Sequence, residues 1–455
     1  MQLKTINPST EEVIQVYPLY QEERIHALID AAHISYLAWR TTDFSQRTQR
    51  MQNMAKLLRE NKKKYAQLMA REMGKPVTAG ESEIEKCAWV CEHFAKKAAS
   101  YLEPRLIHTE MRKTKVCYLP LGVIFSIMPW NFPFWQVFRF AAPAIMAGNA
   151  VILKHAPIST GTGNEIAELF LQAGFPEHLF QHFLLDNKLA EIVMAHEKIV
   201  GVTLTGSEEA GREVGSKAAK HLKRVVLELG GNDPYVVLAD ADLDLAAESI
   251  VTSRMNNSGQ SCIAAKRIIV VNTVLDELTE KILKEVEKYK IGDPMDEDTK
   301  LGPMAREDLR QKVHQQVKES VQKGAKLLTG GELPKQKGFY YPPTVLDGVE
   351  PGMPAFDDEV FGPVISLISA DDEIHAIKLA NQSRFGLGAA VFTRDIIRGE
   401  EIATHEIQSG SCFVNTFVAS DPRVPFGGIK HSGFGRELSQ EGILEFVNVK
   451  TVSVK

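Results

Sequence analysis

The sequence predicts an α/β protein made of two sheets, each largely parallel, with crossover helices on their faces. Three observations lead there. The chain has 455 residues, more than one hydrophobic core usually holds, so two or three domains are expected. Short apolar runs alternate with stretches of helical period, first between Ala150 and Leu229 and again after Asn232. Such alternation marks strands joined through helices. No repeat or low-complexity linker separates the two blocks, so they are expected in tight contact.

The elements follow in order. The first hundred residues read as helices. One runs from about Gln46 to Met73 and stops at Gly74 and Pro76. A second, Glu81 to Leu102, places Ile84, Cys87, Ala88, Cys91, Phe94 and Ala98 at helical spacing. Lys115 to Met128 reads as extended. Ala150–Lys154, Ile199–Leu204 and Arg224–Leu229 read as strands, with helices over Thr162–Ala173 and from Glu208 onward. In the second block Ile268–Val271 and Pro363–Ile368 read as strands, Leu275–Tyr289 and Leu309–Lys323 as helices. Glu445 to Val454 reads as an edge strand able to pair with another subunit.

Composition excludes several function classes. The net charge is −5 and the densest basic run is Lys62-Lys63-Lys64, read as a solvated helix face, so no nucleic-acid partner is expected. No apolar run approaches the ~20 residues that span a bilayer. Met1 to Tyr17 has neither a signal peptide's apolar core nor a transit peptide's acid-poor, Arg-rich character, so a cytoplasmic address is expected. The five cysteines, Cys87, Cys91, Cys117, Cys262 and Cys412, are too few and too scattered for a disulfide framework. Cys87 and Cys91 lack a second Cys or His pair and read as core residues, not metal ligands.

Four places carry chemistry. Cys262 follows the polar turn Asn256–Ser261 and precedes Ile263-Ala264-Ala265. This reads as a loop-to-helix junction, where the helix dipole favours a thiolate; a structural cysteine is the alternative. Glu228 ends an apolar strand and precedes Leu229-Gly230-Gly231, the edge where parallel sheets keep their sites; a solvated strand end is the alternative. Pro129 and Pro133 bracket Trp130, Asn131 and Phe132, and an Asn amide fixed in this way suits an oxyanion. Thr205-Gly206-Ser207 opens a helix, where Ser207 serves as N-cap or phosphate contact.

Together these segments resemble the NAD(P)-dependent aldehyde dehydrogenase superfamily over nearly the whole chain. The matching motifs, in order, are Pro129-Trp130-Asn131-Phe132-Pro133, Gly148-Asn149 with Lys154, Thr205-Gly206-Ser207, Glu228-Leu229-Gly230-Gly231, Gly259-Gln260-Ser261-Cys262, Glu359-Val360-Phe361-Gly362-Pro363, and Pro425-Phe426-Gly427-Gly428 with Ser432-Gly433. The resemblance implies a Rossmann-like cofactor domain (1–103 and 119–231), a catalytic domain (232–428) and a small oligomerisation β-arm (104–118 and 429–455), assembled as a homodimer or homotetramer. It implies Cys262 as nucleophile, Glu228 as base and Asn131 as oxyanion donor. NAD or NADP would lie against Trp130, Lys154, Gly206, Ser207, Leu229, Glu359 and Phe361. No metal is implied.

Within the superfamily the chain looks like the succinate-semialdehyde dehydrogenase branch. A substrate ending in carboxylate needs a cation. Arg139 matches a branch arginine with that role; a structural ion pair is its alternative. Trp135 and Phe426 are read as tunnel walls and Ser420 as a polar contact. Several departures weaken the match. A second branch arginine is Asn256 here, which Ser420 or Arg423 would have to offset. Ala264 stands where some members carry a redox-partner cysteine, and Phe140 where the family carries a lysine. Lys154-His155-Ala156-Pro157 lacks the carboxylate that repels a 2′-phosphate, so NADP should be tolerated, with His155 as a phosphate contact or a packing residue. A broader aldehyde or glutarate-semialdehyde dehydrogenase is the alternative within the superfamily. A non-catalytic protein of the same fold is disfavoured, because Cys262 and Glu228 are both present.

Overall fold

The computed structural model describes residues 2–455. Its first sheet has six strands in the order Gly433–Phe434, Arg224–Glu228, Ile199–Thr205, Val123–Met128, Ala150–His155, Phe180–His182. All pairs are parallel except the one formed by Gly433–Phe434. The chain starts at the central strand Val123–Met128, builds outward on one side, then returns to build the other. The order therefore reverses between Val123–Met128 and Ile199–Thr205, and ligands of open α/β sheets bind at the carboxyl ends of such a switch point. The two loops leaving these strands carry Pro129–Pro133 and Gly206-Ser207.

The second sheet has seven strands, ordered Lys326–Thr329, Thr344–Asp347, Val364–Ala370, Arg267–Val271, Pro234–Val237, Gly388–Phe392, Ser411–Val414, parallel apart from the first pair. Its central strands are apolar on both faces. Val236 and Ile269 face one core, while Tyr235, Val237, Ile268 and Val270 face the other, as the period of two requires. Each fully buried aliphatic side chain stabilises this arrangement by about 1.5–3 kcal/mol.

The helical start differs from expectation in one respect. The long helix expected over 46–73 is two, Phe44–Glu60 and Lys62–Met73, parted at Asn61. Asn61 leaves the helical region and its amide caps the carbonyl of Leu57, a local bond that competes with helix continuation. The helix Val77–Tyr101 buries Cys87 and Cys91 completely, which matches their reading as core residues.

A third sheet, antiparallel, joins Val447–Val454, Lys113–Pro120 and Arg105–Ile107. The tail expected to form one arm thus divides. Gly433–Phe434 joins the first sheet, and Val447–Val454 pairs with Lys113–Pro120 of the same chain. No helix among the described residues is long and apolar enough to cross a membrane.

A buried ion pair braces the switch-point loop. Lys75 and Glu83 pair in the interior, at 1% and 2% side-chain exposure. The other Glu83 oxygen accepts from the backbone N–H of Phe134 and of Trp135, both at 2.9 Å, at the start of the helix Trp135–Met146. Lys75 also lies 3.8 Å from the Phe132 ring centre. Removing one partner of such a pair strands the other charge, at a cost of about 3–5 kcal/mol. Glu83→Ala is therefore expected to lower the melting temperature by several degrees in scanning calorimetry. Glu83→Gln, which keeps an acceptor for the two N–H groups, is expected to lose less.

Candidate active site

The Cys262 loop is assembled from backbone that ordinary residues avoid. After the helix Leu243–Met255, Asn257, Ser258 and Gly259 take φ of 53°, 54° and 74°. Only Gly fits the third position: an added Cβ would lie 2.2 Å from the carbonyl of Gly362. Side chains hold the other two. Asn257 Nδ2 donates to the Asn131 carbonyl at 2.7 Å and to the Gln260 carbonyl at 3.2 Å. Ser258 Oγ donates to the Gly302 carbonyl at 2.8 Å. Gln260 Oε1 accepts from the Ala305 N–H at 3.0 Å. The buried Lys266 ammonium donates to the carbonyls of Ser261 (2.9 Å) and Cys262 (2.6 Å).

Cys262 itself is half-buried and lines a cavity of about 710 Å³. The residues after it form a turn that enters the strand Arg267–Val271. The expected helix junction is absent, because the β-branched run from Ile268 onward belongs to the second sheet, so no helix begins at the thiol. Burial pushes the Cys262 thiol up to about 11, while Arg139 and Lys266 pull the other way.

Asn131 is 4% exposed and lines the same cavity. Its Nδ2 donates to the Gln260 carbonyl at 3.1 Å, leaving one N–H for a ligand, and its Oδ1 has no protein partner. Glu228, 2% exposed, stands just outside the cavity wall with both carboxylate oxygens unpartnered. Burial raises its pKa well above the usual carboxylate range; Arg139 opposes this and Glu437 adds to it. Glycine packs against it, since a Cβ on Gly427 would sit 2.5 Å from Glu228 Oε1.

Of the cofactor candidates, Trp130, Gly206, Ser207, Leu229, Glu359 and Phe361 line the cavity, and Lys154 does not. Trp130 and Phe361 meet edge-on at 5.9 Å. Glu359 accepts from the Gly231 N–H at 3.1 Å and lies 3.5 Å from Lys266. Ser207 caps its helix by accepting from the Ala210 N–H at 3.2 Å. Asn131 and Gln136 belong to this wall and their side-chain oxygens are buried without protein partners, so the lining suits a large ligand with its own donors. His155 is not one of the contacts. Its Nε2 donates to the Pro133 carbonyl at 2.9 Å, its Nδ1 accepts from the Ala156 N–H at 2.8 Å, and burial pulls its pKa down to about 4. It is a neutral packing residue tying a strand end to the Asn131 loop.

The four substrate candidates lie together but away from that cavity. Arg139, 2% exposed, pairs with Glu437, donates to Thr205 Oγ1 at 3.3 Å and lies 4.5 Å from the Phe426 ring centre. The fold thus realises the ion pair, the alternative to a direct substrate contact. Trp135 and Ser420 meet at Lys86, whose Nζ donates to Ser420 Oγ at 2.8 Å and lies 4.4 Å from the Trp135 ring centre. Arg423 is exposed and chelated by Asp421. Sequence reasoning missed Asn257, Lys266, Glu437 and Lys86. For Lys266 alone there was a signal, a lysine inside the apolar run Ala264-Ala265 to Ile268. Among the described residues no cluster of His, Cys, Asp or Glu is placed to hold a metal.

The profile of the aldehyde dehydrogenase family matches residues 1–452. The chain belongs to that family. Among its relatives, a probable NADP(+) succinate-semialdehyde dehydrogenase of Synechocystis sp. is 45% identical over 99% of both chains. The NAD(P)+ succinate semialdehyde dehydrogenase of Escherichia coli is 43% identical over 98% of this chain and 97% of its own. The solved succinic semialdehyde dehydrogenase of Streptococcus pyogenes, in complex with NADP+, superposes with a TM-score of 0.97 at 35% identity over 99% of both chains. The family fold predicted from sequence is therefore the observed one.

The upward shifts at Cys262 and Glu228 carry a sign. On the reading of Cys262 as nucleophile and Glu228 as base, both work deprotonated, so the competent fraction grows as pH rises. We expect kcat/KM to climb from about pH 6 to about pH 9. A profile that is flat or falling over that interval would contradict the assignment.

Proposed function

We propose that this chain oxidises succinate semialdehyde to succinate with NADP or NAD, through a thioester on Cys262. The observation that supports the chemistry is that a half-buried Cys262 and an Asn131 amide with a free N–H line one cavity, while the buried Glu228, next to the lining residue Leu229, keeps two free oxygens. The substrate reading is supported by the relatives, which are named for that activity at 39–45% identity.

The residues act in sequence. Cys262 Sγ attacks the aldehyde carbon, and the new oxyanion takes hydrogen bonds from the Asn131 amide and the Cys262 N–H. A bound nicotinamide supplies the hydride acceptor that turns the hemithioacetal into a thioester. Glu228 then takes a proton from water, which attacks the thioester and releases the acid. The Lys266 bonds hold the carbonyls of Ser261 and Cys262, so the Cys262 N–H keeps its direction while the acyl group comes and goes. Trp130, Gly206, Ser207, Leu229, Glu359 and Phe361 would line the cofactor, with Lys154 reaching it from outside the cavity wall. The absence of a carboxylate beside Lys154 and the neutral, engaged His155 support use of both cofactors.

We also infer a homodimer or homotetramer built through the third sheet. Leu106, Val449 and Val454 are 65%, 56% and 47% exposed there, an apolar surface of the kind that marks an interface.

Absorbance at 340 nm tests the substrate assignment. kcat/KM for succinate semialdehyde is expected to exceed that for butanal at least about tenfold, with turnover on both NADP and NAD. Equal values for the two aldehydes would leave an aldehyde dehydrogenase of broader range.

A further inference from the structure

A carboxylate-bearing substrate needs a cation, and the one expected from sequence is already spent. Arg139 is held by Glu437, Thr205 and the Phe426 face. Arg423 is neutralised by Asp421 at the surface. Asn256, at the place of the second arginine, carries no charge.

Lys86 stands differently. It projects from the helix Val77–Tyr101 and meets two of the tunnel candidates at once, Ser420 through a hydrogen bond of 2.8 Å and Trp135 through its ring face at 4.4 Å. The residue is only partly exposed, and no Asp or Glu lies within ion-pair distance of its ammonium among the described residues. Arg139, a second cation, acts on it more strongly than the carboxylates of Glu83 and Asp421, which are already paired with Lys75 and Arg423. A sequestered ammonium with one neutral partner and a like charge nearby is costly unless an anion joins it. Trp135 follows Asn131 by four residues on the same loop and helix start. Asn131, which lines the cavity with Cys262, and Trp135, whose ring faces Lys86, are therefore the two ends of one short span of chain.

We propose that Lys86 is the specificity-determining cation of this enzyme: its ammonium, with the Ser420 hydroxyl, binds the carboxylate at the far end of the substrate, across the Trp135 face. The inference rests on the substrate reading above, and the test separates the two.

kcat/KM is measured for succinate semialdehyde and for butanal in the wild type, Lys86→Met, Lys86→Arg and Ser420→Ala, with melting temperatures alongside. Met keeps the length and packing of the lysine stem and removes only the charge. In Lys86→Met the ratio of the two kcat/KM values is expected to fall about 10–100-fold, chiefly through KM for succinate semialdehyde. Lys86→Arg restores most of the ratio, and Ser420→Ala lowers it by a smaller factor. A wild type that prefers succinate semialdehyde, with that preference intact in Lys86→Met, overturns the role of Lys86 and leaves the substrate reading standing. A wild type without preference overturns the substrate reading and this inference together. Equal losses for both aldehydes make Lys86 a packing residue and overturn it. Should Lys86→Met not fold, an unaltered ratio in Ser420→Ala, which leaves the helix untouched, overturns it as well.

Discussion

Asn257, Ser258 and Gly259 hold left-handed backbone in succession, and for the two non-glycine residues this costs on the order of 1–3 kcal/mol each. The hydrogen bond from Asn257 to the Asn131 carbonyl, at 2.7 Å, helps to hold them there. That bond spans the two sheets: Asn131 belongs to the loop leaving the first, and Asn257 to the segment entering the second. The Cys262 and Asn131 loops are thereby fixed relative to each other by one short contact, with Gly259 wedged on Gly362 behind it. The remaining apparatus supports this joint. Glu83 and Lys75 brace the Asn131 loop from one side, His155 ties it to a strand end from another, and Lys266 clamps the carbonyls of Ser261 and Cys262.

The electrostatics follow from where the joint lies. It is interior, so every charge near it is either paired or awaiting a partner. Glu437 neutralises Arg139, and Glu359 faces Lys266. Glu228 and Lys86 lack such partners. A buried carboxylate without donors is poised to take up a proton, which is what a hydrolytic base needs. A sequestered ammonium whose one acceptor is a neutral hydroxyl is poised to bind an anion.

Much of this was legible in the sequence. Strands such as Ala150–His155 and Arg267–Val271 are short apolar runs bounded by turn residues, and periodicity reports them directly. The three candidate residues stood out because their neighbours are unusual: two prolines around Asn131, two glycines after Glu228, a polar turn before Cys262. Less was legible where a decision depends on residues far apart in the chain. The break at Asn61 is local but hinges on one side-chain bond. The turn after Cys262 reads like a helix start until the second sheet claims Arg267–Val271. Whether Arg139 meets substrate or Glu437 depends on a residue near the other end of the chain. Lys86 meets Ser420 across 334 positions, and no spacing rule reaches that far. Such pairings are set by the packing of the two domains, which the local pattern does not encode.

The central claim is that acyl transfer passes through Cys262 and is resolved by Glu228. Its most direct test is peptide mass spectrometry of Glu228→Gln enzyme, quenched after reaction with succinate semialdehyde and NADP. The account predicts a succinyl group accumulating on the Cys262 peptide, with none on Cys87, Cys91, Cys117 or Cys412 and little in the wild type, where hydrolysis keeps pace. A variant that turns over freely with no trapped acyl group, or one that carries it on another cysteine, would contradict it.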